Sequence, residues 1–261
     1  MRGLINRGTN CSINSVVQCL YEMCKLRDLI RRVEARDYRG ATNGGAINMV
    51  APMLKSLIHE MSVQEDADMV FKCIVNSLAD GRRAAKKIGR LWDIMKEDSV
   101  RCLSCYAVLS SVCTKSNTIP VLLEENLPDE LQEYRHLVAA PIVCVRIARA
   151  RNLGGEAARL AKMEKRFAFP ETLDLKHLVK EPQDAALYYE LYTVVAHRST
   201  HHCGHYVAYV RADDGRYFTN DAYVSRCSWE DVKMTYGSDS DNQGVAYMLM
   251  YRRIRKDNRW P

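Results

Sequence analysis

No stretch of the chain approaches the roughly 20 consecutive apolar residues that a membrane-spanning helix needs, so membrane insertion is not expected. The opening Met1-Arg2-Gly3-Leu4-Ile5-Asn6-Arg7-Gly8 also lacks the apolar core, about seven residues or longer, of an export signal. A soluble intracellular protein is expected, cytoplasmic, with the nucleus also open to it. No polar or proline-rich tract is long enough to read as disorder, and no internal repeat is visible. With 47% hydrophobic and 27% charged residues over 261 positions, the chain can bury a sizeable core. Zinc-finger spacing and RNP-like aromatic motifs are missing too. The net charge of +6, gathered at Arg82-Arg83, Lys86-Lys87-Arg90 and Arg252 to Arg259, therefore reads as solvated surface, with no nucleic-acid partner.

Cysteine, by contrast, is plentiful. Ten are present, but the length of the chain and the absence of an export signal make them free thiols rather than disulfide staples. Cys102-Leu103-Ser104-Cys105 has metal-ligand spacing, yet a structural zinc site needs four ligands and no second Cys-x-x-Cys follows. His201, His202, Cys203 and His205 could bind a metal opportunistically, yet ligation through His205 would block its use as a base. No metal and no cofactor are expected.

Apolar periodicity divides the chain into a helical first part and a strand-rich last part. Asn14 or Ser15 can cap a helix running to about Ile30, which places Cys11 just before a helix N-terminus. Further helices are predicted over Ala46 to Ile58, Glu65 to Leu78 and Ala84 to Met95. From Pro141 the pattern becomes β: Ile142 to Ala148, Leu187 to His197, His205 to Arg211, Arg216 to Thr219 and Val245 to Arg253. Ala212-Asp213-Asp214-Gly215 reads as a hairpin turn, and Ser228 to Lys233 as a short helix. Helices set against a mainly antiparallel sheet leave a cleft between them.

Attack on an amide needs a nucleophile, a base, a group that orients the base, and donors facing the oxyanion. Cys11 at a helix entry is the candidate nucleophile, since a helix N-terminus favours a thiolate. Gly3 and Gly8 bracket an irregular approach to it, along which Asn6 carries an amide that could donate to an oxyanion. His205, between Gly204 and Tyr206 at the start of a strand, is the candidate base, and glycine leaves its imidazole approachable. The following hairpin returns Asn220 and Asp221 alongside it to fix its tautomer. A merely buried cysteine and a turn asparagine are the ordinary alternatives for Cys11 and Asn6 taken one at a time, and His197 is expected to pack or hydrogen-bond on its strand.

Taken together, they form a recognisable set. Gly3-Leu4-Ile5-Asn6-Arg7-Gly8-Thr9-Asn10-Cys11-Ser12-Ile13-Asn14-Ser15-Val16-Val17-Gln18 resembles the cysteine box of the ubiquitin-specific protease family. Tyr189-Glu190-Leu191-Tyr192, then Gly204-His205-Tyr206-Val207-Ala208-Tyr209-Val210-Arg211 and Asn220-Asp221, resembles its histidine box. Gln64-Glu65-Asp66-Ala67-Asp68, Phe169-Pro170-Glu171-Thr172-Leu173-Asp174-Leu175 and Ala246-Tyr247-Met248-Leu249-Met250-Tyr251 are similar to further blocks, in family order. Trp229-Glu230-Asp231-Val232 with Thr235-Tyr236-Gly237 looks like the interferon-induced branch, which removes an interferon-stimulated ubiquitin-like modifier and dampens interferon receptor signalling.

The resemblance implies an α+β, papain-like cysteine protease fold. A single catalytic domain over 1–261 would comprise a helical thumb lobe at 1–100, a reduced, metal-free fingers-like insert at 101–140 and a mainly β palm lobe at 141–261. It implies Cys11 as nucleophile, His205 as base, Asn220 as third member, Asp221 as its helper and Asn6 as oxyanion donor. Gln64, Asp66, Gly204 and Tyr206 become candidate substrate contacts, with Gln64 and Asp66 alternatively stabilising the lobe interface. The implied partners are ubiquitin or a ubiquitin-like modifier with its protein conjugates, and an interferon-receptor or signalling partner. Thr9-Asn10 reverses the family's usual order and Ser12 replaces its usual aromatic or aliphatic residue. A scaffold that binds the modifier without cutting it, and a protease of ordinary peptides, are the rival readings.

Overall fold

The computed structural model describes residues 1–37, 66–79, 86–123, 126–128, 140–152, 160–175, 187–199, 204–237 and 244–254. The helix expected over Ala46 to Ile58 lies outside these residues.

Helix α1 spans Cys11–Tyr21 and is buried nearly all round, from Cys11 and Ile13 through Val16 to Cys19 and Leu20. A helix buried on nearly every side belongs inside a core rather than on its surface. It begins earlier than the predicted cap at Asn14 or Ser15: Asn10 is the N-cap residue, without a side-chain cap bond, and Cys11 is the first helical residue. It also ends earlier. The chain turns at Glu22, where Met23 N–H bonds Leu20 O at 3.2 Å, and restarts as α2, Cys24–Asp37. The break turns Met23 and Leu26 into the same core as α1.

Helix α3, Ala67–Ala79, buries Ala67, Val70, Phe71, Ile74 and Val75 at the spacing of one helical face. Phe71 meets Trp92 edge to face at 5.8 Å. The helix predicted over Ala84 to Met95 shrinks to α4, Lys86–Gly89, and the chain enters strand β1 at Ile94–Arg101. Strand β1 pairs antiparallel with β2, Val108–Ser116, in a hairpin of its own, apart from the main sheet. Every residue of β2 before Ser116 is exposed, so its sequence shows no alternation from which a strand could be read.

The remaining strands are β3 (Ile119–Val121), β4 (Ile142–Ile147), β5 (Ala150–Asn152), β6 (Leu160–Lys162), β7 (Thr172–Asp174), β8 (Tyr188–Ser199), β9 (Gly204–Ala212), β10 (Gly215–Asn220), β11 (Tyr223–Arg226) and β12 (Val245–Arg253). One eight-stranded sheet runs β11-β10-β9-β8-β12-β4-β3, with β7 also on β8. Among the described residues, only the β3–β4 pair within it is parallel. Both faces are covered. On β4 and β12, Ile142, Cys144, Met248 and Met250 face the helices, while Val143, Val145, Leu249 and Tyr251 pack with Phe167 and Phe169 on the opposite side. A sheet buried on both faces reads as continuous apolar runs, which is why these strands were visible in the sequence. On that far side, helix α5, Trp229–Lys233, starts with a capping box between Ser228 and Asp231.

Candidate active site

Helix α1 packs across β9 and touches β8 and β10, which brings the start of the helix to the strands that carry the histidine. The first intrahelical bond joins Asn14 N to Asn10 O at 2.8 Å, so Cys11 sits in the turn whose N–H groups precede helical pairing. Its side chain is buried.

His205 on β9 and Asn220 on β10 lie on adjacent strands of the sheet, with β8–β9 and β9–β10 pairing fixing the register around them. His205 Nε2 and Asn220 Oδ1 are 2.6 Å apart. A carbonyl oxygen can only accept, so the bond requires the hydrogen on Nε2 and leaves the Nδ1 lone pair for a thiol proton. Asp221 stands second: its Oδ2 is 3.7 Å from the same nitrogen. Its backbone is left-handed, with φ +51, a conformation that aspartate tolerates and that turns the chain out of β10.

Asn6 is held at both ends of its amide. Its Oδ1 accepts from Gly8 N at 2.9 Å and Asn10 N at 3.2 Å, while Nδ2 donates to Asp221 Oδ2 at 3.0 Å. An amide nitrogen carries two hydrogens, so one N–H remains for an oxyanion. The approach segment lies directly on the turn after β10: Leu4 N donates to Asp221 O at 2.8 Å, and a Cβ on Gly3 would fall 2.1 Å from Ala222 O.

Other candidate positions turn out differently. Gln64 lies outside the described residues. Asp66 caps α3, accepting from Asp68 N at 2.8 Å, and receives the Tyr247 hydroxyl. It joins helix to sheet, as the lobe-interface alternative expects. A bulge in β12 between Ala246 and Met248 is what aims Tyr247 toward the helices. Tyr206 is core, not surface: its ring lies 4.6 Å from the His197 ring and 5.8 Å from that of Tyr247. Burial pushes the Tyr206 phenol well above its ordinary range, with the nearby Asp66 acting in the same direction. Gly204 is required by a different neighbour from the one expected, since a Cβ there would lie 1.6 Å from His197 Nε2. Its bareness makes room for that imidazole.

The Cys102 and Cys105 thiols sit at the tip of the β1–β2 hairpin, where backbone N–H groups of Cys105 and then Ser104 hold the Cys102 thiol below its ordinary value. Among the described residues, no three His, Cys, Asp or Glu side chains converge as a metal site would require. His201, His202 and Cys203 are not among them. Asn14, considered in the sequence only as a cap, is the residue that reading missed. It donates to Asp221 Oδ1 at 2.7 Å across a separation of 207 residues.

Comparison with known proteins agrees with this geometry. The human protein named Ubl carboxyl-terminal hydrolase 18 is 24% identical, over 97% of this chain and 85% of its own length. Ubiquitin carboxyl-terminal hydrolase 47 of Xenopus tropicalis is 36% identical over a shorter stretch, 30% of this chain and 7% of that protein. Among solved structures, a chain of the SAGA Ubp8/Sgf11/Sus1/Sgf73 DUB module bound to ubiquitin aldehyde superposes with a TM-score of 0.76 at 17% identity. The match covers 98% of this chain and 70% of that one, and establishes a shared α+β fold. Residues 2–251 match the family described as ubiquitin carboxyl-terminal hydrolase, and the chain belongs to that family of cysteine hydrolases.

Proposed function

We propose that Cys11, His205, Asn220 and Asn6 form the working site of this hydrolase. The bond it cuts is the isopeptide bond after the C-terminal glycine of ubiquitin or, in preference, of a ubiquitin-like modifier. The observation that carries the assignment of roles is the 2.6 Å contact between His205 Nε2 and Asn220 Oδ1, which frees Nδ1 to face the thiol.

In this mechanism Nδ1 takes the Cys11 proton and the sulfur attacks the glycine carbonyl carbon, forming a C–S bond and a tetrahedral oxyanion. The free Asn6 N–H and first-turn backbone N–H groups of α1 stabilise that oxygen. The C–N bond then breaks as the imidazolium gives its proton to the lysine amine, leaving a thioester. Water attacks the thioester while His205 accepts its proton, the C–S bond breaks, and the glycine carboxylate departs. No cofactor enters any step. Asp221, beside the imidazole, supports the positive charge it carries between the two transfers.

Preference for a ubiquitin-like modifier is supported by the length of the match to the human Ubl hydrolase and by Trp229 to Gly237 in the sequence. The same reading takes the interferon-stimulated modifier as substrate, the cytoplasm as compartment and an interferon-receptor or signalling protein as a partner. The test is a side-by-side panel of ubiquitin and ubiquitin-like probes carrying a C-terminal electrophile. Faster labelling by the interferon-stimulated modifier is expected; equal or faster labelling by ubiquitin would overturn the preference. Tight modifier binding without labelling would instead favour a scaffold.

A further inference from the structure

We infer that Asn14 is a positioning residue for this reaction, locking the oxyanion arm and the histidine's turn to the nucleophile helix through Asp221. The inference rests on the site assignment above. Asn14 lies one turn after Cys11 on α1 and is buried, 7% exposed. A buried amide at that position needs partners. Its Nδ2 donates to Asp221 Oδ1 at 2.7 Å and, more weakly, to Leu4 O at 3.4 Å.

Each acceptor belongs to a different part of the site. Leu4 is two residues before Asn6, and its own N–H donates to Asp221 O at 2.8 Å. Asp221 follows Asn220, and its second carboxylate oxygen holds Asn6 Nδ2 at 3.0 Å. The Asp221 carboxylate is therefore fixed at both oxygens, Oδ1 by Asn14 and Oδ2 by Asn6. Held this way, Oδ2 stays 3.7 Å from His205 Nε2, outside hydrogen-bond range, and Asn220 keeps the imidazole. Without Asn14, the carboxylate is free to turn about its Cβ–Cγ bond. Oδ2 can then leave Asn6 for the imidazole, which disturbs the oxyanion donor and displaces Asn220 in one movement. Gln18, one turn further along α1, extends the same seam with a long contact from Nε2 to Arg2 O at 3.4 Å.

The test compares Asn14→Ala with the unaltered chain in three measurements. Steady-state turnover of a C-terminally labelled modifier should show kcat lowered about 10- to 100-fold, the scale of losing a hydrogen bond to a charged group, with KM changed less than about threefold. Alkylation of Cys11 by iodoacetamide should stay within about threefold, because Asn14 bonds Asp221 and Leu4 rather than the thiol. In an Asp221→Ala background, the Asn14→Ala loss should shrink to less than about twofold, since the partner through which it acts is gone. A merely structural residue would lower alkylation with turnover and would add its full loss in that background; either result overturns the inference, as does kcat unchanged in an active enzyme. If Asn14→Ala does not fold, Asn14→Ser makes the same cut with less volume lost. An unaltered chain that is alkylated at Cys11 yet turns nothing over would defeat the functional assignment instead.

Discussion

Asn220 and Asp221 are neighbours with different work to do. Asn220 supplies a carbonyl oxygen, which accepts from His205 Nε2 and thereby fixes the tautomer; Asp221 supplies charge at 3.7 Å and anchors Asn6. Removing the acceptor should cost orientation rather than binding. Asn220→Ala is expected to lower kcat about 100-fold, within the range of general-base effects, with KM nearly unchanged. Asn220→Asp, which keeps an acceptor, should retain most activity. Steady-state kinetics of the two variants check this, and equal loss in both would show that the acceptor is not what matters. At this scale the sequence exposed the residue types but not their contacts. Cys11, His205 and Asn220 stood out by neighbours and order. The Asn14 to Asp221 bond joins residues 207 positions apart and leaves no local signal. Gly204 stood out too, yet its reason is the His197 ring on the adjacent strand.

Elements are tied together on the far side of the sheet by one buried cation. Arg149, 3% exposed, donates from Nε to Ala246 O at 2.6 Å, from Nη1 to Met163 O at 3.1 Å and Lys165 O at 3.0 Å, and from Nη2 to Tyr236 O at 3.4 Å. It joins β12, the segment after β6 and the short turn that follows α5. A lysine ammonium on a shorter fork cannot reach all four carbonyls. Arg149→Lys should therefore lower unfolding free energy by about 2–4 kcal/mol in urea titration, as buried acceptors lose their donors. A change below about 0.5 kcal/mol would mean that these carbonyls are satisfied otherwise. Which elements were legible follows from burial. The bounds of β12 agree with the predicted Val245 to Arg253 because apolar residues serve both of its faces. The β1–β2 hairpin was missed because β2 is exposed along nearly its whole length. The α1–α2 break was missed because apolar residues continue through it, and only packing turns the chain.

Across the whole molecule, burial of ionisable groups sets the response to alkali. Burial pushes the Cys19 thiol and the Tyr189 phenol up to about 12 and Cys227 to about 11, and holds Tyr192 and Tyr251 well above their ordinary value. Each keeps its proton in the folded chain at a pH where the unfolded chain has released it. Stability from these groups is complete below about pH 9, the ordinary thiol value, and declines as pH rises toward 12. Arg149 opposes them: burial lowers it to about 10, so the folded state sheds its proton first and gains stability above that pH. Burial lowers Arg216 in the same way, but two cations against a larger number of thiols and phenols still leave a net loss. The urea midpoint should fall steadily above pH 9, and a flat or rising midpoint would contradict the burial assigned to them. The largest claim also belongs to the molecule as a whole: a thiol at the start of α1 and an imidazole at the start of β9 act as one site. Intact-mass and peptide mapping of the chain after exposure to a ubiquitin-like modifier with a C-terminal electrophile tests it most directly. A single adduct on Cys11, slowed at least about 100-fold by His205→Ala and absent in Cys11→Ala, is the predicted result. Labelling spread over other cysteines, or Cys11 labelling indifferent to His205, would contradict it.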